Sequence, residues 1–226
     1  MYQSIVQERG SIQFPEFTGE RVYMLPFRQS EGLPPELARW QPSVDSMLSG
    51  ISTDRDIFLM IDQSQVRAGS PQRRPGLHVD GYWHLAYSCH DTSGHAGNEP
   101  KDPEPIPGEW RIPGDSGRWK MTGGKHGGGH RGSIDGDGWT RCDFTAPEAI
   151  MLASSITAAR AFSGEFSGSI GEGGDCSTIK PDGMRKVVLR CGMVYAGNVA
   201  MLHESLPVTE DCYRTLIRLN VPGWTP

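Results

Sequence analysis

Arg73-Arg74-Pro75-Gly76-Leu77-His78-Val79-Asp80-Gly81-Tyr82-Trp83-His84 reads as a strand entered from a turn, with Pro75-Gly76 as the break. The strand is expected to run from Gly76 to Tyr87. Residues i and i+2 on a strand point to one face, so His78 and Asp80 converge on a single point, and His84 shares that face. A neighbouring strand can then add a third side chain. The downstream candidate is His203, in Met201-Leu202-His203-Glu204-Ser205, with Arg214 and Arg218 on the segment that follows.

The rest of the chain favours strands as well. Gly 29 and Pro 17 among 226 residues punctuate the backbone often, which suits many short strands better than long helices. The length fits a single β domain spanning 1–226, long enough to bury a core without metal or disulfide staples. Residues 1–55 are expected to be supporting strands and a short helix. Tyr2 to Phe27 alternates between Gly and Pro breaks, and Leu33 to Leu48 spaces Leu37, Trp40, Val44 and Leu48 as a short helix interrupted near Pro42. Asp56 to Val66 reads as a buried strand. Thr145 to Phe162 is contested: the alanines and a Thr145–Glu148 capping box favour helix, while the β context favours two strands about a Ser/Thr turn. The strand reading is adopted. Val187 to Tyr195 is expected to be one strand, Gly197-Asn198 a hairpin turn, Val199 to His203 the return, and Arg214 to Val221 a further strand.

Residues 91–142 differ in composition. Pro103, Pro105, Pro107 and Pro113 precede Gly123-Gly124-Lys125-His126-Gly127-Gly128-Gly129-His130-Arg131. This stretch reads as an insertion over one mouth of the fold, pinned by Trp110, Trp119 and Trp139. His126 and His130 have helical spacing, but the glycines between them make a helical metal site unfavourable. Lys120, Lys125 and Arg131 make the insertion positive without the aromatic interleaving expected for stacking on single-stranded nucleic acid. Arg73 and Arg74 read as a solvated turn.

A formal charge of −5 gives no global attraction to nucleic acid or anionic membranes. Cys89, Cys142, Cys176, Cys191 and Cys212 show no CxxC pairing and read as reduced structural thiols. Met1 to Gly10 carries Gln7, Glu8 and Arg9 in place of a signal-peptide core, and no window has the length of a membrane span; a cytoplasmic protein is expected.

With His78-x-Asp80, the distal His203 and an arginine a short way downstream, the chain resembles the Fe(II)/2-oxoglutarate-dependent oxygenases over roughly Asp56 to Val221. The resemblance implies an all-β to mainly β double-stranded β-helix, or jelly roll, with the Gly/Pro-rich insertion and few short helices. It implies Fe(II) on His78, Asp80 and His203, and 2-oxoglutarate held through its distal carboxylate by Arg214, with Arg218 sharing the task. The family often carries Ser or Thr two residues past the arginine; here that position is Leu216, and Thr215 faces the other way. Two imidazoles and a carboxylate leave three positions open on such an ion, and an arginine grips a carboxylate through paired hydrogen bonds. The expected activity is hydroxylation of an unidentified substrate with release of succinate and CO2. Two other readings stay open: a non-enzymatic jelly-roll assembly protein such as a virion component, and a cupin-like metal enzyme that does not use 2-oxoglutarate.

Overall fold

A computed structural model describes residues 1–73, 75–80, 109–110, 119–120, 147–170 and 174–226. The described chain is mostly β-sheet with one short α-helix. In order it forms β1 (Tyr2–Ser4), β2 (Val6–Ser11), β3 (Arg21–Phe27), a 3-10 helix (Pro35–Trp40), α1 (Gln41–Met47), β4 (Ile57–Val66), β5 (Glu109–Trp110), β6 (Trp119–Lys120), β7 (Glu148–Ser154), β8 (Ala159–Phe166), β9 (Arg185–Val188), β10 (Met193–Asn198), β11 (Leu202–Ser205) and β12 (Cys212–Pro222). The larger sheet runs β2-β10-β7-β12-β4-β3-β6-β5. The smaller runs β1-β8-β11, with β9 also paired to β8. Pairing between these strands is antiparallel, apart from the Val22–Lys120 contact between β3 and β6, and an isolated bridge from Pro75 to Ser205 is also parallel.

The alternation of each central strand decides what packs where. On β12, Ile217, Leu219 and Val221 join Leu59, Ile61, Met151 and Ala153 on one face of the larger sheet, covered by Leu37, Trp40, Val44 and Met47 from the two helices. The opposite face sends Met60, Ile150, Leu152, Tyr195 and Leu216 against Ala159 and Ala161 of β8, so a second core lies between the sheets. The far side of the smaller sheet buries Phe162, Phe166 and Leu202 with Val79, Ile170, Cys176 and Ile179. Each fully buried aliphatic side chain in these layers contributes about 1.5–3 kcal/mol.

The strands expected in Tyr2–Phe27, Asp56–Val66 and Arg214–Val221 are present, and the contested Thr145–Phe162 stretch forms β7 and β8. The helical stretch is divided near Pro42 as expected: the 3-10 helix ends at Trp40 and α1 begins at Gln41, with Pro42 in its first turn, where a missing N–H costs nothing. Three expectations need correction. The strand expected over Val187–Tyr195 is broken by a turn at Cys191-Gly192, and its halves belong to different sheets. Gly197-Asn198 is no hairpin turn, because β10 and β11 also lie in different sheets. Gly197 is needed for close approach, since a Cβ there would collide with the Met201 side chain. Asn198 clamps the β1–β2 junction, accepting from Ile5 N at 3.0 Å and donating to Gln3 O at 2.7 Å. Finally, residues 76–80 form no regular strand: among them only His78 pairs, through isolated bridges. Residues 81–87 and the insertion expected at 91–142, apart from β5 and β6, lie outside the described residues. No helix among the described residues is long and apolar enough to cross a membrane.

Candidate metal centre

His78 is fixed without a strand of its own. Its N–H donates to His203 O at 2.9 Å and its carbonyl accepts from His203 N at 3.0 Å. On the other side Val79 N donates to Gly174 O and Cys176 N to Leu77 O, both at 2.9 Å. The short segment is therefore held between β11 and residues 174–176. Gly174 makes this possible: its φ of 74° favours glycine, and a Cβ would strike the Val79 carbonyl.

A directly opposed antiparallel pair presents both side chains to one face, and the two imidazole centroids lie 4.3 Å apart. On β11, His203 stands opposite Ala161 and so faces the space between the sheets. Asp80 completes the group, with Oδ2 3.5 Å from His203 Nε2. One ligand atom from each of His78, Asp80 and His203 falls within 4.8 Å of the others, so this group can hold a metal ion.

The tautomers agree with that use. His78 Nδ1 lies 2.8 Å from Gly76 O and His203 Nδ1 2.9 Å from Met201 O. A carbonyl only accepts, so each Nδ1 carries a proton, and the ring's remaining nitrogen, Nε2, is the atom that can offer a lone pair to an ion. Backbone-anchored Nδ1–H groups of this kind orient metal-bound histidines.

Charge is arranged around the same point. Arg218 Nη1 lies 3.0 Å from Asp80 Oδ1. Burial pushes the Asp80 carboxyl up, but Arg218, then His203, His78 and Arg73, overrule it and hold the group well below the usual carboxylate range. Asp80 is therefore an anion ready to bind a cation. Arg214 occupies a different place on the same face of β12. Its Nε donates to Ser154 Oγ at 2.9 Å, while Nη1 has no hydrogen-bond partner among the described residues. Burial pulls its guanidinium down to about 10, partly offset by Asp62 and Cys212, so it remains cationic at neutral pH.

Of the residues expected from sequence, the structure brings His78, Asp80, His203 and Arg218 together, with Arg214 further along the strand. Arg73 is no solvated turn residue: its Nη1 lies 3.5 Å from the buried Asp62, and its charge reaches Asp80 and Arg214. His84, His126, His130 and Arg74 lie outside the described residues. Sequence reasoning also passed over Asp62 and Ser154. Asp62 is a lone acid directly after the apolar run Ile57–Ile61, a signal that marks it as paired when buried. Ser154 lies directly opposite Leu216, so the hydroxyl missing at 216 is supplied beside Arg214 by the neighbouring strand.

Comparison with family models, curated proteins and solved structures finds no match to this chain. The reading of the centre therefore rests on its own geometry and chemistry.

Proposed function

We propose that the chain is an Fe(II)- and 2-oxoglutarate-dependent dioxygenase on a jelly-roll scaffold. The observation that carries this reading is the inward-facing group of two Nε2 lone pairs and one carboxylate, each imidazole oriented by its own backbone carbonyl. Two imidazoles and one carboxylate form the donor set that leaves adjacent positions open on non-haem Fe(II). Two sheets enclosing the group, with the histidines cross-paired at the edge of the smaller one, support the jelly-roll assignment.

Bound iron would supply oxygen activation: 2-oxoglutarate, O2 and a substrate C–H bond are converted to succinate, CO2 and the hydroxylated substrate. The chain's own part is binding, orientation and exclusion of water. His78, His203 and Asp80 would hold the cation. Arg214 has a buried Nη1 without a partner among the described residues and is steadied by Ser154, so it suits the distal carboxylate of the co-substrate.

The test is succinate release from 2-oxoglutarate under air with added Fe(II), in wild type and His78→Ala. Turnover that the substitution removes supports the proposal. Cation binding without 2-oxoglutarate affinity would replace it with a cupin-like metal enzyme, and binding of neither would favour an assembly protein.

A further inference from the structure

Strand β3 carries one extra residue where it pairs with β4. Val22 stands opposite Ile61 and Leu25 opposite Leu59, so the register shifts between them. A bulge of this kind re-aims side chains. Val22 and Leu25 pack on the helix-covered side, while Tyr23 and Met24 both join the core between the sheets. Met24 has φ 51°, the one positive value outside glycine among the described residues. A left-handed backbone on a residue with a Cβ is strained and persists where its surroundings impose it.

The side chain at this strained point touches the metal centre's support. Met24 Sδ accepts from Arg218 Nη2 at 3.2 Å, and Arg218 Nη1 lies 3.0 Å from Asp80 Oδ1. The other oxygen, Oδ2, is the one turned to His203 Nε2. The two oxygens of Asp80 are thus divided between an arginine and the imidazole cluster. Arg218 is itself buried, its Nε has no hydrogen-bond partner among the described residues, and its guanidinium meets the Asp80 carboxylate and a weakly accepting thioether.

We infer that Met24 and Arg218 are positioning residues that hold back Oδ1 of Asp80, so that a divalent cation meets Oδ2 alone. The inference rests on the cation-binding reading of the centre and adds how that site is kept open. A carboxylate free to turn can bind a cation through both oxygens and occupy a further coordination position. With Oδ1 engaged by a guanidinium, the ion receives one oxygen and two nitrogens, and three positions of an octahedron remain for ligands. The bulge serves this end by placing a bulky apolar side chain that limits where the arginine can swing.

The relay is tested on the full chain with Co(II) alone as the probe, by calorimetric titration and by the visible ligand-field spectrum of the bound ion. Arg218→Gln is expected to change the spectrum as Oδ1 joins the ion and to bind Co(II) at least as tightly as wild type, because a second oxygen becomes available and a neighbouring positive charge is removed. Arg218→Lys should return the spectrum part of the way to that of wild type, because it restores a cation without the planar fork. Met24→Leu keeps the apolar volume, loses the acceptor and should shift the spectrum in the same direction as Arg218→Gln but less, in keeping with one weak hydrogen bond. A wild-type spectrum in Arg218→Gln, or weaker binding in it, would overturn the relay. If that variant does not fold, Arg218→Lys and Met24→Leu decide, and wild-type behaviour in both overturns it. Wild type that takes up no Co(II) would overturn the cation reading itself, which separates the two failures.

Discussion

The two faces of β12 are both buried, yet they are built from different chemistry. Ile217, Leu219 and Val221 meet the helices in an apolar layer. Arg214, Leu216, Arg218 and Asn220 meet the space between the sheets, and three of these four are polar. Burying apolar surface stabilises the fold outright, whereas burying guanidinium groups and an amide costs free energy unless each finds a partner. Arg214 Nη1, Arg218 Nε and both amide atoms of Asn220 have none among the described residues. One face of the strand is therefore organised for folding and the other retains unmet hydrogen-bonding capacity, as a binding site does.

Substitutions on the two faces should separate stability from binding. The largest stability effect is expected from Ile217→Ala on the apolar face. It should cost about 2–5 kcal/mol of unfolding free energy in a denaturant titration, with cation affinity retained. Comparable loss of cation affinity would show that the two faces are not independent. A smaller effect concerns Asp80. Its carboxyl is held below the usual range by Arg218 and the imidazoles. The stability this pairing contributes is therefore present above about pH 4, the ordinary carboxylate value, and is lost as pH falls through the depressed folded value. Without added metal, the melting temperature of wild type should fall more steeply below pH 4 than that of Asp80→Asn. Equal slopes would mean that the pairing contributes no net stability. The smallest effect is that of Ser154→Ala, which removes the acceptor for Arg214 Nε. It should cost about 1 kcal/mol in stability and loosen 2-oxoglutarate binding while leaving Co(II) affinity unchanged. A shift in Co(II) affinity instead would place Arg214 in the cation's own support.

Sequence patterning revealed the alternation of β12 and the set His78, Asp80 and His203, because periodicity and motif spacing are local. The division of labour between the two arginines was hidden. Arg214 and Arg218 share a face, and which of them reaches Asp80 depends on how residues 77–79 dock against β11, a contact between distant parts of the chain. Gly197-Asn198 misled for a related reason. The dipeptide fits a hairpin locally, but there the chain leaves one sheet for the other and the Asn198 amide serves β1 and β2. Met24 gave no signal, since a bulge in β3 is set by its register with β4 rather than by its own residues.

The central claim is that two imidazoles and one carboxylate oxygen close on a single ferrous ion between the sheets. An anaerobic crystal structure with Fe(II) and 2-oxoglutarate, read at the iron absorption edge, tests it most directly. The account predicts one anomalous peak bonded to His78 Nε2, His203 Nε2 and Asp80 Oδ2, with the co-substrate reaching toward Arg214. An ion bound elsewhere, or an empty centre with Asp80 still paired only to Arg218, would contradict it.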